Sequence, residues 1–295
     1  MASSVKELVI ISGKGGTGKT SITGALASMS SDKVLADCDV DAANLHLIVG
    51  GYTVESGPFE SGWEVVSDVH KCLQCEICGN LCRFGTIENG VIIEPLLCEG
   101  CGVCVDHCPA GVLSLKKRKA GEWLVLDTPK GLLVSANLGV AIESSGKLVC
   151  KVKEIARKIA TRDDLPLILI DGPPGIGCPV IAALTGATLA LAVVEPTISA
   201  LHDLQRLHGL TRHFRLPLLV CLNKSDLHEG MRQQIQNWCA DNAVVLAGEI
   251  PYREEFREAV KAGHTVVPTE GRLLGDALKC LWKNIAGQLE QASKS

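Results

Sequence analysis

Apolar residues in this chain gather in short unbroken runs, separated by longer stretches in which they return every three or four positions. The runs near residues 6–11, 34–36, 132–136, 167–170, 188–194, 218–222 and 244–248 lack the alternation of a half-exposed strand, so they predict strands buried on both faces. Between them the spacing is helical. Ile22, Ala25, Leu26 and Met29 form one stripe, Leu148, Val149, Val152, Ile155, Ala156 and Ile159 a second, and Leu274, Leu278, Leu281, Trp282, Ile285 and Leu289 a third. Strand and helix in alternation predict an α/β fold with a doubly wound, mainly parallel sheet, whose binding sites fall at the carboxyl edge of the strands. The last helix carries too few basic residues on its polar side for membrane association, which predicts core packing instead. No apolar stretch approaches the length that spans a bilayer.

The first run leads directly into Gly13-Lys14-Gly15-Gly16-Thr17-Gly18-Lys19-Thr20, a complete G-x-x-x-x-G-K-[ST], followed by Ser21 and a helical stripe. Strand, glycine loop and helix N-terminus in that order let backbone N–H groups face phosphates. Lys19 is expected on the β- and γ-phosphates and the Thr20 hydroxyl on Mg2+. The run at 167–170 ends in Asp171-Gly172-Pro173-Pro174-Gly175, so Asp171 is a second expected magnesium residue. The run at 218–222 delivers Asn223-Lys224-Ser225-Asp226, which locates a base pocket at Asn223 and Asp226 without deciding between adenine and guanine.

A different chemistry lies between residues 63 and 115. Eight cysteines form two runs, Cys72-x2-Cys75-x2-Cys78-x3-Cys82 and Cys98-x2-Cys101-x2-Cys104-x3-Cys108-Pro109. Three thiolates two residues apart wrap one iron–sulfur cluster while the fourth ligand comes from the other run. The expected sets are therefore Cys72, Cys75, Cys78 and Cys108 on one 4Fe-4S cluster, and Cys98, Cys101, Cys104 and Cys82 on the other. Structural zinc is the plainer alternative, but the third cysteine of each run is surplus to paired C-x2-C halves. Disulfides need an oxidising compartment, and the Met-Ala-Ser-Ser opening followed by a strand lacks the features of a signal peptide, which predicts a cytoplasmic protein with oxygen-labile clusters.

With Lys14 at its start, the glycine loop resembles the deviant P-loop of the MinD, ParA and nitrogenase iron-protein superfamily. Asp37-Cys38-Asp39-Val40-Asp41 with Asn44-Leu45 looks like that superfamily's first switch, and Asp171-Gly172-Pro173-Pro174-Gly175 its second. Val194-Glu195-Pro196-Thr197 and His202-Asp203-Leu204 extend the likeness to MinD-like ATPases with an inserted ferredoxin domain. The resemblance implies a discontinuous P-loop domain, 1–62 and 116–295, interrupted by a small α+β bacterial-type ferredoxin domain, 63–115. It implies ATP rather than GTP, an ATP-state homodimer, Lys14 reaching the partner's nucleotide, and Asp39 near the attacking water and the magnesium shell. Catalytic roles thus fall to Lys14, Lys19, Asp39 and Asp171. Arg83-Phe84 departs from the proline common after the first cysteine run and affects only a local turn. Cys178 matches a cysteine that bridges subunits in the nitrogenase iron protein, but no second bridging cysteine is found, so it is read as a buried thiol. Cys38, Cys150, Cys221, Cys239 and Cys280 are read as small core residues.

Composition narrows the function. A net charge of −4 lacks the basic footprint of a nucleic-acid partner, and the Lys116–Lys119 run reads as a solvated strand end. The expected function is an ATPase whose homodimer switch is coupled to electron transfer, through two 4Fe-4S clusters, between a donor and an acceptor protein. The alternatives are an iron–sulfur carrier or assembly factor, and a MinD-like positioning protein with redox-sensing clusters.

Overall fold

A computed structural model describes residues 5–139, 144–266 and 273–292. The chain forms two compact units, Met1–Gly57 with Trp123–Asn137 and Ser145–Ser295, and Pro58–Glu122 with Leu138–Ser144. In chain order the first unit opens with β1 (Lys6–Ser12), α1 (Lys19–Met29), β2 (Lys33–Asp37) and α2 (Leu45–Val49). Strand β3 (Tyr52–Ser67) leads into the second unit, which holds α3 (Ile77–Leu81), β4 (Ile87–Glu88), β5 (Val91–Ile92) and α4 (Val103–Asp106). Strand β6 (Leu113–Asp127) leads back to β7 (Leu133–Leu138), α5 (Ser145–Arg162), β8 (Leu167–Pro174), α6 (Cys178–Leu184) and β9 (Leu189–Val194). The chain continues through α7 (Ile198–His213), β10 (Leu218–Asn223), α8 (Glu229–Asp241), β11 (Val245–Ile250), α9 (Glu254–Lys261) and α10 (Leu273–Ala292).

Among the described residues the large sheet has the order β11-β10-β9-β1-β8-β2-β7, extended at its edge by β6 and then β3. All pairings from β11 to β7 are parallel. Parallel strands need crossover helices on the faces, and both faces are accordingly buried. Leu8 and Ile10 of β1 share a core with Ile22 and Leu26 of α1 and Leu278, Leu281 and Ile285 of α10. Val9 and Ile11, pointing to the opposite face by strand alternation, are equally inaccessible. The expected core role of the last helix is thereby met by its own apolar stripe. No helix among the described residues is long and apolar enough to cross a membrane.

Strands β3 and β6 are not predicted by the sequence, and the expected domain boundaries at 62/63 and 115/116 fall inside them. Most residues of β3 are exposed and it is interrupted by glycine, proline and charge, while β6 ranges from buried to exposed and is interrupted by glycine and a basic run, so neither a buried run nor an alternating pattern marks them. Two expectations about cysteines are also corrected. Cys178 is exposed at the first position of α6, whose buried side is formed by Val180, Ala183 and Leu184, and Cys150 and Cys280 are exposed because they lie on the solvent side of amphipathic helices. Cys38, Cys221 and Cys239 are buried.

The centre of the sheet is close-fitting where the site will form. A methyl group on Gly172 would lie 2.6 Å from the Ile10 carbonyl oxygen, an atom held by the β1–β8 pairing. Gly172→Ala should therefore lower stability by about 1–3 kcal/mol, read as a lower urea midpoint with an unchanged m-value.

Candidate functional site

The glycine loop turns from β1 into α1 through two left-handed residues, Gly16 (φ 80°) and Gly18 (φ 88°). Gly18 is the N-cap of α1, and a side chain there would strike Asn223, whose amide Nδ2 donates to the Thr17 carbonyl at 2.7 Å. Ser12, Gly15, Gly16, Thr17, Gly18, Lys19, Thr20 and Ser21 line a cavity of about 280 Å3 together with Asp39. Thr17 Oγ1 in this wall is buried without a hydrogen-bond partner. An orphaned hydroxyl in a glycine loop that opens a helix N-terminus suits an anion, so the residues fit the phosphates of a nucleotide. Gly13 belongs to the same turn but packs against Asp203 of α7, whose Cβ would lie 2.1 Å from an added methyl.

Two carboxylates meet one lysine at this cavity, with a third close by. Lys19 Nζ lies 3.2 Å from Asp171 Oδ1 and 3.4 Å from Asp39 Oδ2. Burial works against the lysine's charge, but Asp171 and Asp39 outweigh it and hold its pKa above the ordinary lysine value. Thr20 Oγ1 donates to Asp171 Oδ2 at 2.7 Å, and Thr23 Oγ1 to Asp171 Oδ1 at 2.9 Å. Thr23 is a site residue that the sequence reading misses, since only its place one turn after Thr20 signals it. Asp37 is fully buried and accepts from the Asp39 and Leu45 amides, so it ties the first switch to the end of β2. Burial and the neighbouring Asp171 push its carboxyl up to about 7, and burial and Asp171 also raise that of Asp39 against the pull of Lys19. An excess of oxygen donors and negative charge over cations suits a hard divalent ion, which Thr20, Asp39 and Asp171 could hold as Mg2+.

A second cavity of about 400 Å3 adjoins the loop, lined by Asn223, Lys224, Pro251, Tyr252 and Phe256 among others. Aromatic and apolar walls with a few polar groups suit a nucleoside. Asp226 does not line it. Its two carboxylate oxygens accept from the Tyr252 amide at 2.6 Å and from Arg253 Nη1 at 3.0 Å, so the group that a guanine reader would need is already engaged. Lys14 is 39% exposed and lies 3.5 Å from Glu195 Oε2, while Lys224 pairs with Glu195 Oε1 and donates to the Gly16 carbonyl at 3.2 Å.

The second unit has its own centre. Val65, Cys78, Ile87, Val112 and Leu113 form a small core, against which Cys72, Cys82, Cys98, Cys104 and Cys108 pack. Cys72, Cys75, Cys78 and Cys108 line one pocket. A methyl group on Gly90 would come within 2.9 Å of Cys72 Sγ, and Ser67 Oγ and Asn89 Oδ1 nearby are buried without partners. Cys98, Cys101 and Cys82 lie close enough to Cys104 that, after burial, their charge is what raises its thiol. Burial also raises Cys82, but hydrogen bonds from Thr86 and from the Phe84 and Gly85 amides leave it below the ordinary thiol value. Amides of Val112, Ala110, Leu113 and Gly111 lower Cys108 in the same way. Such N–H groups aimed at sulfur are what a cluster's thiolates require. Four thiols lining one pocket and amides directed at sulfur fit the thiolates of an iron–sulfur cluster. Arg118 donates to the Cys98 carbonyl and Lys117 sits 3.8 Å over the Trp63 ring, so the basic run belongs to a strand that braces the second cysteine loop.

Uncharacterized protein MJ0578 of Methanocaldococcus jannaschii is 35% identical over 230 residues, which is 76% of this chain and 80% of that protein. A 52-residue stretch, 18% of this chain, is 33% identical to 64% of the pyruvate synthase subunit PorD of Methanothermobacter marburgensis. The septum site-determining protein MinD from Pyrococcus horikoshii, solved with Mg-ADP, shares the fold at a TM-score of 0.59 and 19% identity, covering 99% of this chain and 100% of that one. Residues 8–266 match the CobQ/CobB/MinD/ParA nucleotide binding domain, and the chain belongs to that family.

Proposed function

We propose that this chain is an ATP-hydrolysing iron–sulfur protein in which a nucleotide-driven homodimer switch is coupled to electron transfer to a partner protein. The observation that carries this reading is one of connectivity. The cysteine unit is entered through β3, directly after the segment from Asp37 to Val49, whose Asp39 reaches the P-loop lysine. A switch segment that responds to the γ-phosphate and Mg2+ is followed, after Gly50 and Gly51, by the strand that leads into the cysteine unit, so the two halves of the proposed activity are neighbours along the chain.

In this reading the glycine loop from Gly13 to Thr20 and Ser21 hold the phosphates, with Thr20, Asp39 and Asp171 holding Mg2+. Asn223 fixes the loop from the base side, and the engagement of Asp226 favours adenine over guanine. Lys14 reaches the nucleotide of a second copy and offsets charge as the γ-phosphoryl group leaves. Bound by Cys72, Cys75, Cys78 and Cys108 and by Cys98, Cys101, Cys104 and Cys82, two 4Fe-4S clusters would pass single electrons from a donor to an acceptor protein. The likeness to PorD over 52 residues supports this half of the reading.

The test is an anaerobic redox titration followed by EPR, on reconstituted protein with and without Mg-ATP. Two 4Fe-4S signals whose potentials or mutual coupling shift with nucleotide are expected. Two signals indifferent to nucleotide, together with an unchanged rate of transfer to an acceptor, would overturn the coupling.

A further inference from the structure

We infer that Glu195 is a positioning residue for Lys14, holding this lysine on its own subunit until a second copy of the chain arrives. The inference rests on the reading of Lys14 given above and adds the group that controls it. Glu195 stands just past the end of β9, is 13% exposed, and divides its two oxygens between two lysines. Oε2 lies 3.5 Å from Lys14, which is 39% exposed, and Oε1 pairs with Lys224. Lys224 is anchored a second time, at the Gly16 carbonyl.

The asymmetry between the two lysines determines what this arrangement does. Removing one partner of a largely buried ion pair is normally unfavourable because it leaves the other charge uncompensated. Here Lys14 can leave without that penalty, because Lys224 stays on Glu195 and is itself fixed to the P-loop. The contact to Lys14 is the weaker and wetter of the two, so it opens first. A lysine that must cross to another subunit's phosphates is thus kept close to its own glycine loop in the monomer, and is released by a competing anion of higher charge. An exposed ion pair of this kind shifts an equilibrium by about 1.4- to 5-fold. Two such contacts open for each dimer formed, so the dimerisation constant should respond by about 2- to 30-fold.

The experiment measures dimerisation by sedimentation velocity with a non-hydrolysable ATP analogue and Mg2+, alongside the affinity of the dilute monomer for a fluorescent ATP analogue. Glu195→Gln keeps the shape and an oxygen for Lys224 while removing the charge. It should tighten the dimer by the factor above and leave monomer affinity for nucleotide unchanged. In a Lys14→Ala background the same substitution should have no effect on the dimer. Weaker dimerisation of Glu195→Gln, or a gain that persists without Lys14, would overturn the inference, the second because Glu195 would then act on loop structure and not through Lys14. Failure of the underlying reading looks different. In that case Lys14→Ala alone would dimerise and hydrolyse ATP like the unaltered chain, whatever Glu195 does.

Discussion

Lys14→Ala binds Mg-ATP with near-unaltered affinity and hydrolyses it about 100- to 1,000-fold more slowly, an expectation set by the loss of one preorganised cation from the transition state. The separation of binding from chemistry follows from where the two loop lysines stand. Lys19 is buried, touches Asp171 and Asp39, and lies in the wall of the phosphate cavity, so Lys19→Ala weakens binding itself. Lys14 is half-exposed, is not part of that wall, and pairs with Glu195 among the described residues. Its removal leaves the cradle of N–H groups and the orphaned Thr17 hydroxyl in place. Steady-state hydrolysis at several protein concentrations, with nucleotide affinity measured in parallel, checks both halves. Because the proposed contact is made across two copies, the unaltered chain's specific activity should rise with concentration and that of Lys14→Ala should not. Full hydrolysis by the variant would remove the trans-acting lysine from the mechanism.

The nucleotide half of the site is legible in the sequence because its parts are local. A P-loop is a contiguous string whose backbone geometry follows from its glycines, and the buried parallel strands that flank it are apolar on both faces, so motif and context identify each other. Contacts between distant segments are not legible in this way. Nothing in Asn223-Lys224-Ser225-Asp226 tells that Asp226 turns to Tyr252 and Arg253, or that Asn223 braces Thr17 across 206 positions of sequence. Glu195 is visible only as part of Val194-Glu195-Pro196-Thr197, and its two lysines come from a loop and from another strand end. Strands β3 and β6 escape for a different reason. As the last strand of the sheet β3 is mostly exposed, and β6 beside it is only partly buried, so neither needs an apolar pattern, and their pairing is set by backbone hydrogen bonds that any residue can make. The exposure of Cys150 and Cys280 shows the limit of reading cysteine as a core residue, since on an amphipathic helix the side it occupies depends on a phase that one residue cannot reveal.

The cysteine assignment admits a sharp test, because the two runs are expected to exchange their fourth ligands. Cys82 ends the first run, yet its charge is, after burial and with those of Cys98 and Cys101, among the causes that raise the Cys104 thiol, while Cys108 from the second run shares a pocket with Cys72, Cys75 and Cys78. Cys82→Ala should therefore lose the cluster of the second run and spare that of the first. Alanine is chosen over serine because a serine oxygen can replace a thiolate. The readouts are iron content, expected to fall by about half, and the EPR spectrum, expected to lose one signal and the coupling between the two. Pairwise variants decide the connectivity without assigning either signal in advance. Cys82→Ala combined with Cys104→Ala removes two ligands of one cluster and should lose no more iron than Cys82→Ala alone. Cys82→Ala combined with Cys72→Ala removes one ligand from each and should lose both clusters. If instead each run ligated its own cluster, the two double variants would exchange these outcomes. Stability should follow the iron, because the unit's apolar core is limited to a few side chains around Val65, Ile87 and Leu113, and a core of that size needs ligation to remain folded.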